Sequence, residues 1–500
     1  MIFTSLQYII FVQILFLFFI AVPIYIRWLV LLVGSYIFYA SLNAPILLFA
    51  LGVTTCVSYG VGISISRSDF EKTKKLWLWI GVVSNLSILI CLKYLPFLFK
   101  NINIICDYLS TRQRFPDVSS IVTIGVSYYV LQGISYIVDV YLEVTEPERH
   151  FGYIALYMSF FPKLLQGPIE RGGNLLPQLR ILAPATWADI RVGLHLFLWG
   201  VFKKVVIADR LASFVDPIYG NVTLHSGLTL VAATYLFAFQ LYFDFSGYTD
   251  MALGIARCFN IRLTQNFNAP YLATSIADFW RRWHISFSSW ILDYIFKPLQ
   301  FKYRDLSTLG TTLALMITFV SSGLWHGASW NYVVWGSIHG IYLSGAVLFR
   351  RSIHKFYKRL GLEKSKLLEV WQVILTFNLV SFAWIFFRAR NLNDALFVAW
   401  NVVAGIVGSL SLHSHGWNVF ILQIIGDRSI AEAVGVLVLL LFALTVGGVD
   451  RRIKGVRNKT DELLWLFQLP LCLRGIVYGL FSYFIIFCGV RTQSFIYLNF

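Results

Sequence analysis

Two histidines set among tryptophans carry the chemistry this sequence offers. Residues 321–330 read SSGLWHGASW and place His326 beside Trp325 and a run of small residues, inside an otherwise membrane-apolar stretch. Forty-two residues upstream, FWRRWHISFSSW sets His284 behind Arg281 and Arg282 and among Trp280, Trp283 and Trp290. An ionisable ring at membrane depth is disfavoured unless it is paired or used, so its presence points to function. Imidazole suits a membrane-embedded general base, because desolvation lowers its pKa and leaves one nitrogen unprotonated near neutral pH. Gly323, Gly327, Ala328 and Ser329 leave room around His326 for a substrate chain or for close helix approach. Trp325 and Trp330 are placed to wall a tunnel. The alternative is a core histidine bonded to a neighbouring carbonyl, and the flanking residues alone leave both readings open.

His284 belongs at a membrane edge or along an aqueous path, since Asp278, Arg281 and Arg282 share its segment and a charge at the bilayer centre costs about 2.5 to 3.5 kcal/mol. There Arg281, Arg282, Lys297, Lys302 and Arg304 could attract a phosphate-bearing donor such as coenzyme A, because guanidinium groups grip phosphates bidentately. Simple anchoring by positive residues on the inner side is the competing explanation. LYFDFSGYTDMALGIA (241–256) buries Asp244 and Asp250 in an apolar helix, where carboxylates pair or face a cavity. They are expected to orient a histidine, to satisfy an arginine or, for Asp244, to meet substrate. His339 follows His326 by 13 residues, about 20 Å along a straight helix, too far to share one reacting atom. His413 and His415 are too isolated to be metal ligands, and no metal is expected.

The elements that position these side chains follow from composition. The chain of 500 residues is 58% hydrophobic and 17% aromatic but only 13% charged, about half the charge of a soluble protein. It reads as an all-α polytopic membrane protein. Apolar stretches near 5–26, 28–42, 46–65, 76–99, 119–142, 190–215, 227–258, 308–324, 331–350, 368–387, 430–449 and 471–490 predict roughly eleven to thirteen membrane helices, at about 20 residues each. The first lacks a basic leader and a small-residue cleavage pattern, so it is expected to be a retained helix. The six cysteines form no C-x-x-C pair and lie mostly in apolar segments, where they are expected to pack.

The net charge of +16 sits in short loops at 67–75, 349–366 and 450–459, which the positive-inside rule places in the cytoplasm with the N-terminus outside. Nucleic acid is therefore not an expected partner. Parity of spans then requires NLNDALFVAWNVV (391–403) to lie flat at the outer interface, capped by Asn391 and Asn393 with Asp394 in its first turn. FFPKLLQGPIERGGNLLPQL (160–179) holds too many prolines and glycines for a continuous helix. It is either a re-entrant segment sheltered by protein or an ordinary surface loop. With no internal repeat or linker, residues 1–500 read as a single membrane-embedded domain.

G-x-S-x-G, H-E-x-x-H and GxxxxGK[ST] patterns are all missing, so hydrolase, metalloprotease and ATPase readings drop away. The motifs that are present, FWRRWHISFSSW, LYFDFSGYTDMALG, the 160–179 segment, GLWHGASWNYVVWGSIHG, WIFFRA and the terminal SFIYLNF, together resemble the membrane-bound O-acyltransferase family. The similarity is to its bacterial alginate O-acetylase branch and to the related exporters of D-alanine to teichoic acids. NLSILICLKYLPFL (85–98) and GVSYYVLQGISYIVDVY (125–141) are similar too, so the resemblance runs nearly end to end. It implies a ring of helices around a thinned centre with a tunnel, His326 as the family's essential histidine, and His284 as the second. By the same resemblance, an acyl group, most simply acetyl from acetyl-CoA or another cytoplasmic thioester, passes to a hydroxyl of an extracytoplasmic glycan, with no bound cofactor. A periplasmic esterase-like partner, surrounding lipid and the bacterial inner membrane are further implications. After DYIFKPL (293–299) the chain continues QFKYRDLSTLG in place of the branch's Gly-Gly-Asn-Arg stretch, which leaves the acceptor open.

In the implied mechanism His326 takes the acceptor's proton, and His284 or an indole N–H of Trp325 or Trp283 stabilises the oxyanion. A covalent acyl group on His326 is the alternative, separable by burst kinetics. Two rivals come from other classes. A transporter shares the many helices, the broken segment and the buried ionisable groups, but usually carries an inverted repeat. A non-catalytic scaffold would be complemented by a His326→Ala variant.

Overall fold

The computed structural model describes residues 1–111, 114–116, 123–225, 227–362, 365–411, 441, 470–488 and 496, which are mostly helical with no strand among them. The expected span 430–449, the loop 450–459 and His413 and His415 lie outside the described residues, as does nearly all of SFIYLNF. Two compact units emerge. The first comprises Met1–Val201, Tyr248–Gln265 and Ser494–Phe500, the second Phe202–Gly247 and Asn266–Gln493.

The first unit is built from α1 (Leu6–Ala21), α2 (Arg27–Ala40), α3 (Pro45–Arg67), α4 (Glu71–Leu89), α5 (Leu95–Tyr108), α6 (Val126–Tyr141), α7 (Phe151–Ser159), α8 (Gly172–Arg180) and most of α9 (Trp187–Phe202). Local chemistry fixes several starts. The Ser5 hydroxyl accepts the Tyr8 N–H at 3.2 Å, and Pro45 opens α3, where its missing N–H costs nothing. Pro23 splits the first apolar stretch, so α1 stops at Ala21. Helices α3, α4 and α6 pack on one another, and α7 lies against α2, α3 and α8.

Between α7 and α8 the chain is irregular yet buried from Phe160 through Glu170. This excludes the surface-loop reading and supports a segment sheltered by protein. Several of its polar groups are bonded within the protein, as burial favours, although both side-chain polar atoms of Gln166 lack a hydrogen-bond partner. The Lys163 ammonium donates to the Gln132 carboxamide oxygen and to the Met158 carbonyl. Ser35 Oγ accepts the Phe161 N–H at 3.1 Å. The Glu170 carboxylate takes bonds from Asn174 Nδ2 at 2.6 Å and from both the N–H and the hydroxyl of Thr264.

The second unit holds α10 (Asp209–Gly220), the start of α11 (Gly227–Cys258), α12 (Ile276–Arg282), α13 (Ile285–Ile291), α14 (Lys297–Lys302), α15 (Ser307–His326), α16 (Trp330–Leu348), α17 (Arg350–Arg359), α18 (Lys366–Arg388), α19 (Leu392–Ser411) and α20 (Leu471–Tyr483). Its centre is the α15–α16 hairpin, against which α18 and α12 pack. Glycine makes this hairpin tight. A Cβ added at Gly323 would stand 2.1 Å from the Tyr332 carbonyl oxygen, and one at Gly336 would stand 2.2 Å from that of Phe319. Because the obstructing atoms are backbone, Gly323→Ala should destabilise by at least about 1 to 3 kcal/mol, the usual cost of overpacking. Thermal unfolding in detergent measures this, with Gly345→Ala, which meets nothing within 4 Å, as the neutral control. Equal losses from both variants would refute the close-approach account.

Five described helices are long and apolar enough to cross a membrane, six if α16 and α17, bent by 61° from each other, count as one span. The other predicted stretches within the described residues form shorter or interrupted helices. Asn391 caps α19 as expected, its Oδ1 accepting the Asp394 N–H at 2.9 Å. Among the five cysteines whose side chains are described, only Cys258 is buried. Cys56, Cys91 and Cys472 are exposed, which corrects the packing role expected for them.

Candidate active site

The second unit brings His284 and His326 to one aromatic cluster. His326 is the last residue of α15 and 3% exposed, and His284 precedes α13 and is fully buried. Phe287 lies between them, stacked on His284 at 5.2 Å between ring centroids and edge-on to His326 at 5.5 Å. Trp325 stacks on Phe287 at 4.2 Å and meets His326 at 4.8 Å and His284 at 6.1 Å. Trp335 at 5.0 Å and Phe387 at 5.3 Å complete the wall around His326. Complete burial pushes the His284 pKa down to about 3, because a low-dielectric setting disfavours the charged ring. His284 is therefore neutral at physiological pH and suited to donating a hydrogen bond rather than to carrying charge.

Other expected positions are corrected. Trp330 begins α16 and is 52% exposed; Trp335, five residues further on, walls His326 instead. The chain reverses at Gly327–Ser329, where the Ser329 side chain accepts the Asn331 N–H. The straight-helix separation of His326 and His339 therefore does not hold. Trp335 touches both rings, at 5.0 and 5.1 Å, and Trp280 Nε1 donates to His339 Nδ1 at 3.3 Å. Trp283 is buried against Phe267, Phe279 and Trp384, a layer behind the histidine cluster.

Arg281 and Arg282 sit on the exposed side of α12. The Ser275 hydroxyl caps that helix by accepting the Asp278 N–H at 3.1 Å. Arg282 Nε donates to Asp278 at 2.9 Å, whereas Arg281 is 3.8 Å away with its side chain 73% exposed. Lys297 pairs with Asp293 at 2.8 Å with its side chain 62% exposed, and Arg304 lies over the Phe301 ring. Arg281 and Arg282 thus stand only three and two positions before a fully buried histidine.

Asp244 meets a lysine. Lys204 donates to it at 2.5 Å and pairs with Asp209 at 2.8 Å, all three side chains being at most 2% exposed. Lys204 and Asp209 are five residues apart, which on an α-helix separates them by about 140°. The π-helical turn Lys203–Ala208 closes through i to i+5 and puts them on one face. No 3.6-residue pattern could have revealed this pair. Phe287 had a signal, lying three residues after His284 on a helix; Phe387 had only its place in WIFFRA.

The model of the membrane-bound O-acyltransferase family matches residues 76–387, a span that includes both histidines and ends at Phe387. The chain is 36% identical over 407 residues to the peptidoglycan O-acetyltransferase of Helicobacter pylori, covering 76% of this chain and 73% of that protein. It is 35% identical over 378 residues to the probable alginate O-acetylase AlgI of Pseudomonas aeruginosa, covering 75% and 69%. A teichoic acid D-alanyltransferase of Bacillus subtilis is 25% identical over 274 residues, covering 53% and 69%. With apolar helices able to cross a bilayer several times and a buried pair of histidines inside the matched region, the chain is a multi-pass membrane O-acyltransferase and belongs to the membrane-bound O-acyltransferase family.

Proposed function

We propose that this chain moves an acetyl group from acetyl-CoA, bound at the cytoplasmic side of a bacterial inner membrane, to a hydroxyl of an envelope polysaccharide. The observation that carries the reading is His326, buried at a helix end and walled by Phe287, Trp325, Trp335 and Phe387. Support for a glycan acceptor comes from the two relatives of about 35% identity, whose names specify acetyl transfer to peptidoglycan and to alginate. His326 takes the proton of the acceptor hydroxyl as its oxygen attacks the thioester carbonyl. The neutral His284 ring donates a hydrogen bond toward the developing oxyanion. The carbon–sulfur bond then breaks, and the thiolate leaves with the proton held by His326. No bound cofactor is needed for these steps.

On the donor side, Arg281 is the residue most available to the phosphates of coenzyme A, because it is exposed and only loosely held by Asp278. Arg281→Ala should raise KM for acetyl-CoA about tenfold, the worth of one charge-assisted contact near 1.5 kcal/mol, and flatten its salt dependence, since such contacts are screened over about 8 to 10 Å. Titrating labelled acetyl-CoA against purified wild-type and variant protein at low and high salt, with ester-linked acetyl on added glycan as the readout, tests both donor and reaction. Identical curves would remove the donor site, and glycan left unacetylated while acetyl-CoA is intact would remove the function.

A further inference from the structure

His284 has backbone angles φ 43° and ψ 55°, a left-handed conformation that side chains with a Cβ disfavour. It joins α12 to α13 and swings the chain from the exposed Arg281 to a fully buried ring within three residues. One residue supplies most of what holds this turn. The Asn266 carbonyl accepts the Ile285 N–H at 2.9 Å. Its side-chain Oδ1 accepts the Ser286 N–H at 3.2 Å and the Ser286 hydroxyl at 2.6 Å. A fourth bond runs from the Asn268 N–H to the Arg282 carbonyl at 2.9 Å, closing the other side of the turn.

The orientation of the Asn266 amide is set by chemistry, because a backbone N–H can only donate and Oδ1 must face Ser286. Nδ2 is thereby left buried with no hydrogen-bond partner, in a residue 1% exposed. A buried donor without a partner is destabilising, and an apolar side chain of similar size would avoid it. The cost of keeping a carboxamide there is offset by what Oδ1 holds. The neighbouring Phe267 reinforces the same turn, edge-on to Trp283 at 5.1 Å and to Phe245 at 5.0 Å, while Phe245 itself meets His284 at 4.7 Å.

We infer that Asn266 is the positioning residue of His284: its Oδ1 and carbonyl clamp the left-handed turn and so aim the His284 ring into the cluster it shares with His326. The inference rests on the role given to His284 above. The test uses full-length protein in detergent, labelled acetyl-CoA, and alginate oligosaccharides and peptidoglycan fragments offered separately as acceptors. Asn266→Ala should lower kcat on the order of 10²-fold, the usual result of misplacing a reacting group by about 1 Å, with KM for acetyl-CoA unchanged. Ser286→Ala removes only the hydroxyl donor and should lower kcat several-fold in a protein that keeps the turn, so it serves if Asn266→Ala fails to fold. Both losses should vanish in a His284→Ala background, where there is no ring left to position. Losses that add to that of His284→Ala, or wild-type turnover by Asn266→Ala and Ser286→Ala while His284→Ala is impaired, would overturn the clamp and leave the role of His284 standing. Wild-type turnover by His284→Ala would overturn both.

Discussion

His326→Ala protein should insert and fold like the wild type yet transfer acetyl at a rate reduced about 10²- to 10⁴-fold, the contribution typical of a general base. The substitution leaves the other members of the cluster touching in two pairs, Phe287 on Trp325 and Trp335 on Phe387, so each half of the wall keeps a contact when the ring is gone. It also withdraws a polar group from a costly environment, which protects abundance while activity is lost. The measurement is the rate of glycan acetylation normalised to folded protein. Most of the rate surviving in well-folded His326→Ala protein would defeat the assignment. A burst of thiol release ahead of steady turnover in the wild type would instead point to an acyl group carried covalently on the ring.

Lys204→Met should be the most destabilising single change outside the histidine cluster. Lys204 is the shared cation of Asp209 and Asp244, and all three side chains are essentially inaccessible. Removing one member of a buried ion group leaves uncompensated charge and costs about 3 to 5 kcal/mol, whereas replacing the whole group with neutral residues of similar size is often neutral. Folded yield and thermal midpoint should therefore collapse for Lys204→Met and recover when Asp209→Asn and Asp244→Asn are added. A triple variant as unstable as the single one would show that the lysine acts by some other means.

Much of this organisation is legible in the sequence because apolar length and helix punctuation are local. Hydropathy locates the helices and Asn391 announces a cap, although the expected stretch 5–26 runs through Pro23, where α1 has already ended. His284 and His326 stand out because charge is scarce around them. What is not legible depends on contacts between distant segments. The reversal at Gly327–Ser329 exchanges Trp330 for Trp335 in the wall and brings His339 onto the same indole as His326. Lys204, which donates to Asp244, lies forty residues away, and the support of His284 comes from Asn266, which carries no chemical signature of its own.

The extra residue in the turn Lys203–Ala208 has an evolutionary corollary. A π-turn closes through i to i+5 where an α-helix closes through i to i+4, so an insertion of one residue here and the arrival of the Lys204–Asp209 contact would be geometrically inseparable. Homologues lacking the insertion should show a one-residue gap here, together with the loss of either the lysine or its aspartate. Chimeras that cross two such homologues within this helix would inherit half of an ion group, whereas crossovers placed before Lys203 or after Asp209 would carry the insertion and the contact as one heritable block.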